Sequence, residues 1–160
     1  MIDKRDMQLL AHIRHNSRMK LTEIGKSSSM PVSTIFEKMN GVMESYIQRY
    51  TCILNTAALG YTSRATIILK VDKAQKKEIG DYLERHEHVN SLFKINNGYD
   101  FLMDVIFQTM AELEEFVEAL EARYHIKQKD VYFIIDEVKQ EGFLANPLTA
   151  IAAPNQEKRP

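Results

Sequence analysis

The chain has 160 residues, of which 44% are hydrophobic and 27% charged, with a formal net charge of −1. That length suits one ordinary domain or two small ones, and the balance is that of a globular protein, not of a disordered one. No apolar run approaches the ~20 residues of a membrane-spanning helix, no apolar stretch of a signal peptide follows the first residues, and Cys52 as the sole cysteine excludes an internal disulfide and a Cys-rich zinc site.

These features point to a cytoplasmic protein with no membrane partner. The charge is uneven along the chain. Residues 1–50 carry eight Lys/Arg against five Asp/Glu, and residues 51–160 carry thirteen against seventeen. A basic contact module joined to an acidic body fits that asymmetry.

Asp3 and Asp6 mark a helix start, with a capping oxygen followed by a charge in the first turn. Ile2, Leu9, Leu10 and Ile13 fall on one side, and Asn16 is the stop. A second helix is expected over about 20–27, with Leu21 and Ile24 inward. Gly25 in its middle costs ~1 kcal/mol against Ala, which close approach of a neighbouring helix would justify. After the turn Ser27-Ser28-Ser29-Met30-Pro31, a third helix over 32–44 buries Ile35, Met39 and Val42. Its other side offers Ser33, Thr34, Glu37, Lys38 and Gly41. Three such helices make a helix-turn-helix unit.

In a helix-turn-helix the last helix enters the major groove of double-stranded DNA. Ser33 and Thr34 then meet bases or phosphates, Glu37 accepts from cytosine, and Lys38 reaches guanine or a phosphate. Phe36 is either a thymine-methyl contact or a partly buried core residue. Lys20, Lys26, Ser28, Ser29 and Arg49 are the candidate phosphate contacts. So few cations per subunit require two or more copies on one DNA for useful affinity.

Gln48–Thr56 reads as an extended connector ending at Leu59-Gly60. From Arg64 the period becomes two, with Ala65, Ile67, Leu69 and Val71 on one face of a strand. Asp72 and Gln75 suggest a capping box for a helix that buries Ile79, Tyr82 and Leu83. A strand over 89–96, the turn Asn97-Gly98, and a strand over 100–108 with Phe101, Met103, Val105 and Phe107 inward form a hairpin. Thr109 and Glu112 cap a helix that buries Leu113, Phe116, Val117, Leu120 and Tyr124. A last strand over 130–138 carries Val131, Phe133 and Ile135 on one face.

The order β-α-β-β-α-β is the ferredoxin-like arrangement, so the fold class is α+β. Right-handed crossovers place both helices on one side of the sheet. The other side then exposes Ile68, Leu92, Leu102, Ile106, Tyr132 and Ile134, an apolar patch too large to leave in water. The simplest cover is the same face of a second copy in a two-fold dimer, the alternative being the chain's own N-terminal unit.

A winged-type helix-turn-helix in residues 1–47, a connector strand in 48–62 and a ferredoxin-like domain in 63–144 resemble the leucine-responsive (Lrp/AsnC) regulators. The resemblance rests on Ile2-Asp3…Asp6…Leu9-Leu10…Ile13 with Asn16-Ser17-Arg18 after it, and on Met30-Pro31-Val32-Ser33-Thr34-Ile35-Phe36-Glu37-Lys38-Met39, the latter most like archaeal members. Arg49-Tyr50-Thr51…Leu54-Asn55 and Asn97-Gly98-Tyr99-Asp100 complete the set. It implies a DNA-binding transcription regulator, a dimer that can assemble further into a tetramer or octamer, that senses an amino acid or a related metabolite. The effector region of the family maps to Asn97, Gly98, Tyr99 and Asp100, where Gly98 permits close backbone approach and Asp100 would receive an ammonium group. Residues 42–47, Val-Met-Glu-Ser-Tyr-Ile, depart from the family's glycine-containing run after the recognition helix. Residues 145–160 match nothing in it and are expected to be a mobile tail or an accessory contact.

Two other classes share this architecture. One is a heme-pathway decarboxylase that works on a tetrapyrrole, and the other is a metabolite-binding assembly protein whose DNA-binding unit has degraded. Among the five histidines, His12, His15, His86, His88 and His125, the spacing of His86 and His88 around Glu87 could suggest a metal, but no third ligand accompanies them, and a solvated helix end is the simpler reading. No nucleophile–base pairing or phosphate loop is visible, and no cofactor, metal or catalytic activity is expected.

Overall fold

The computed structural model describes residues 2–150. They pack as two compact units. One runs to Cys52 and includes the segment from Val138, and the other is Ile53–Glu137.

The first unit holds three helices: α1 (Lys4–His15), α2 (Leu21–Ser28) and α3 (Val32–Met39). Asp3 caps α1 by accepting from the Asp6 backbone N–H at 2.6 Å, and Asp6 accepts from the Asp3 N–H at 3.3 Å in return. Leu9, Ile13, Ile24, Met30, Ile35 and Met43 form the core, with Leu10, Met19, Leu21, Met39 and Ile47 packed around it. A Cβ on Gly25 would stand 2.9 Å from the Met30 carbonyl oxygen. The glycine is therefore there for the tight turn that leads from α2 into α3, with Val32 and Ile35 of α3 also in van der Waals reach, and not for backbone freedom.

The third helix is shorter than the 32–44 expected. It ends at Met39, where Asn40 and Gly41 break the helical path, and a 3-10 turn follows at Val42–Ser45. Met43 fills the inward place expected of Val42, whose side chain lies outside the described residues. Residues 47–55 run without helix or ladder partner. The segment after Val138 returns to this unit: Glu141 pairs with Arg14, and the Phe143 carbonyl accepts from Arg14 Nε at 3.1 Å. The tail expectation for 151–160 lies outside the described residues.

The second unit is the split β-α-β fold: β1 (Ser63–Val71), α4 (Lys76–Arg85), β2 (Val89–Lys94), β3 (Phe101–Phe107), α5 (Met110–Arg123) and β4 (Ile126–Phe133). All strand pairs are antiparallel, in the order β2-β3-β1-β4. Every inward residue expected of β1 and β3 is buried against Ile79, Leu83, Leu113, Phe116, Val117 and Leu120 of the two helices. Thr109 accepts from the Glu112 N–H at 3.2 Å and so starts α5.

The capping box expected at Asp72 and Gln75 is replaced by two separate contacts. Asp72 accepts from the Ala74 N–H at 2.9 Å, and Gln75 accepts from the His125 N–H at 2.7 Å. The last strand begins and ends earlier than the 130–138 expected. Its partner β1 starts at Ser63, so after Ile134 donates its N–H to the Arg64 carbonyl no ladder remains, and Ile135 is 99% exposed. The polar run Lys127-Gln128-Lys129-Asp130 disguises the true start, as charges on edge strands do.

The uncovered sheet face differs from expectation in β2. Val89 pairs with Val105 and Leu92 with Met103, so the chain gains a residue against β3 through a bulge at 89–91. The slip reverses the facing of the residues after it. Leu92 belongs to the helix-covered core, and Phe93, 54% exposed, takes its place beside Leu102. Ile68, Leu102 and Ile106 lie half-buried on this face, with Tyr132 and Ile134 exposed. Polar groups interrupt it: Thr66 donates to Asp104 at 2.8 Å, and Arg64 pairs with Glu137 and lies 3.8 Å from Asp104.

Candidate functional site

The outward surface of α3 is set by helical geometry, about 100° per residue. Val32, Ser33, Phe36, Glu37 and Asn40 form one exposed arc. Ile35 and Met39 point to the core, and Thr34 and Lys38 fall on the remaining flank, where both are half-buried.

Lys38 therefore does not stand with Ser33 and Glu37. Its ammonium pairs with the Asp6 carboxylate, whose side chain is nearly buried at the start of α1, and lies 3.5 Å from Asp3. These carboxylates raise the Lys38 pKa, the Asp6 hydrogen bond most strongly, while the Asp6 N–H and then Lys38 hold Asp3 below its usual range. The reach to guanine or phosphate expected of Lys38 is thus replaced by an ion pair that holds α3 on α1. What separates the flank from the arc is the rotation of the helix about its own axis, which Ile35 fixes.

The flanking groups are mostly free of such ties. Lys20, Lys26 and Arg49 are exposed, and Ser29 ends α2 in the left-handed region with φ of 55°. Ser28 is half-buried and its hydroxyl donates to the Ile24 carbonyl at 2.6 Å. Val32 and Asn40 also belong to the arc; the residue pattern does not single them out, although their spacing from Phe36 is helical.

The second candidate is the β2–β3 hairpin. Asn97 and Gly98 both have positive φ, 62° and 89°, and the Ile95 N–H donates to the Asp100 carbonyl at 3.1 Å to close the loop. Tyr99 donates its hydroxyl to Asp130 and accepts from Gln128 Nε2 at 2.6 Å. The hydrogen bond to that carboxylate pushes the Tyr99 pKa up.

Asp100 is already occupied. One carboxylate oxygen accepts from the Val71 N–H at 3.0 Å and the other from the Lys76 ammonium at 2.6 Å. Lys76 first, then the Val71 N–H, keeps this carboxyl below its usual range. The ammonium expected from an effector is supplied here by the chain itself. Residue spacing does not point to Lys76, Gln128 and Asp130, because they reach the hairpin from other elements and local pattern carries no such signal.

No group of three or more His, Cys, Asp or Glu able to hold a metal occurs among the described residues. His86 accepts from the His88 N–H through Nδ1 at 3.3 Å and packs on Phe116, with ring centroids 4.6 Å apart. Within the described residues no helix is long and apolar enough to cross a membrane.

The model of the Lrp/AsnC ligand binding domain matches residues 64–144, half of the chain. The chain belongs to the Lrp/AsnC family. Among its relatives, the HTH-type transcriptional regulator FL11 of Pyrococcus abyssi is 27% identical over 120 residues, 74% of this chain and 80% of that one. An uncharacterised HTH-type transcriptional regulator of Pyrococcus furiosus is 25% identical over 141 residues, 88% and 95% of the two chains. The Lrp/AsnC fold is also seen in solved structures. A transcriptional regulator of Neisseria meningitidis in complex with L-Met superposes with a TM-score of 0.81 at 18% identity, covering 88% of this chain and 94% of that one. AsnC of E. coli gives 0.76 at 16% identity, covering 88% and 96%.

Proposed function

We propose that this Lrp/AsnC regulator reads double-stranded DNA with the exposed arc of α3 and is modulated by a small metabolite, an amino acid or a close relative, bound at the hairpin. The single observation that carries the DNA reading is the exposed arc of α3, where Ser33, Phe36, Glu37 and Asn40 face outward while Ile35 packs into the core, in a unit that also exposes Lys20, Lys26 and Arg49. Ser33, Glu37 and Asn40 contact base edges. Lys20, Lys26, Ser29 and Arg49 contact phosphates, and Ser28 supports the turn between them. Lys38, paired with Asp6, holds the reading helix on α1.

The working unit in this reading is a homodimer formed through the open sheet face, by Ile68, Phe93, Leu102, Ile106, Tyr132 and Ile134. Assembly of dimers into tetramers or octamers then has to use other surfaces. The effector contacts are Asn97, Gly98 and Tyr99, together with Gln128 and Asp130. Asp100 enters only when Lys76 releases it. The L-Met complex of the Neisseria meningitidis regulator supports an amino acid as the class to try first.

The test is titration of the purified chain against duplex DNA from upstream of its own gene and against an unrelated duplex, with salt varied and a panel of amino acids added. Preference for the upstream duplex that weakens steeply with salt is the expected result, and a shift with one amino acid names the effector. Absence of binding to either duplex at low salt overturns the reading.

A further inference from the structure

We infer that α3 reads thymine methyl groups, with Phe36 as the specificity-determining residue and Val32 beside it. The inference rests on the proposed DNA-reading role of α3 and goes beyond it by naming the base feature that is read.

The argument starts from what the arc contains. Phe36 is 57% exposed and Val32 is 41% exposed, so two of the five outward side chains are apolar. No cation stands among them, since the one lysine of α3 is held by Asp6 and Asp3. Glu37 on the same arc would be repelled by phosphates, which favours seating α3 at base edges over backbone contact. At those edges in the major groove the only apolar group is the C5 methyl of thymine. A phenyl ring seated among purine and pyrimidine polar atoms would strip water from them without return, so an operator that suits Phe36 must place thymine under it. Glu37, one residue on, accepts from the N4 amino group of cytosine, which makes neighbouring thymine and cytosine the expected pattern.

The experiment selects duplexes from a random pool with the full-length chain, then replaces each thymine of the selected site by deoxyuridine, which lacks only the methyl group. Affinity is expected to fall about fourfold for each methyl contacted, the equivalent of ~0.8 kcal/mol for one buried carbon. Phe36→Ala should lose most of the discrimination at the thymine that residue 36 covers and keep any that Val32 supplies, whereas Phe36→Leu, which keeps a longer apolar tip, should retain more of it. Since Phe36 lies outside the core, circular dichroism of both variants should match the parent. Equal affinity of the parent chain for thymine and uracil duplexes overturns the inference while leaving the regulator reading intact. Full discrimination retained by Phe36→Ala overturns it too. Failure to select any duplex overturns the regulator reading and this inference with it.

Discussion

The Lys38 ammonium of α3 closes on the Asp6 carboxylate at the start of α1. The pair joins α3 to the first helix, and Asp6 also belongs to the capping pair with Asp3. Replacing Lys38 by Met leaves a nearly buried carboxylate without its cation, which costs about 1–3 kcal/mol. Thermal unfolding should therefore report a lower midpoint for Lys38→Met, while Lys20→Met, at an exposed site, should leave it almost unchanged.

Gly25 sets two effects against each other. Alanine gains ~1 kcal/mol of helix propensity, but its Cβ would sit 2.9 Å from the Met30 carbonyl oxygen, a backbone atom that cannot turn aside. Overpacking of this kind costs about 1–3 kcal/mol, so the clash wins. Gly25→Ala should lower stability and weaken DNA binding together, as measured by denaturant unfolding and by anisotropy of a labelled duplex.

The helix-turn-helix and the sheet core were legible in the sequence because their signals are local. Asp3 with Asp6, Thr109 with Glu112, and the alternations of β1 and β3 each need only a few neighbouring residues. Leu92 was not legible, because the bulge at 89–91 inserts one residue and turns the rest of β2 over. For the candidate site residues the sequence assigns the element but not the direction of the side chain. Ser33, Glu37 and Lys38 share a helix, yet only the packing of Ile35 decides that Lys38 turns to α1. Asp100 likewise looks free in sequence, and it is Lys76, from α4, that occupies it.

The corrected face of β2 makes opposite predictions for adjacent residues. Phe93→Glu puts a charge on the open face, and sedimentation should show dissociation of the proposed dimer with the monomer still folded. Leu92→Ala removes core volume at about 2–5 kcal/mol, so it should lower the unfolding midpoint and leave subunit contacts in place.

In the proposed hairpin site, Lys76 holds Asp100 at 2.6 Å and would compete with an effector ammonium for it. Lys76→Met leaves that carboxylate only the Val71 N–H, so calorimetry should find tighter binding of the effector amino acid than to the parent chain. Since Lys76 and Val71 depress the Asp100 pKa, their stabilisation is present above the unfolded value near 3.8 and is lost as pH falls through the lower folded value. Acid unfolding of Lys76→Met should accordingly begin at higher pH.

His86 gives a pH effect nearer neutrality. Burial, then the neighbouring His88, lowers its pKa from 6.5, with Glu87 opposing. The unfolded chain then binds more protons, so this contribution is complete above pH 6.5 and declines as pH falls through the folded value. Burial lowers the His12 pKa as well and adds to the same trend. The unfolding midpoint should fall between about pH 7.5 and 5, less steeply in His86→Asn, which keeps an acceptor for the His88 N–H.

The salt dependence of DNA affinity tests the placement of the reading surface most directly. Each phosphate contact contributes about 0.9 to the slope of log affinity against log salt. For the duplex upstream of its own gene, each substitution removes one contact from both subunits of the proposed dimer, so Lys20→Met and Arg49→Met should each lower the slope by about 1.8, and Lys38→Met should leave it unchanged. A slope that drops for Lys38→Met but not for Lys20→Met or Arg49→Met would contradict the account.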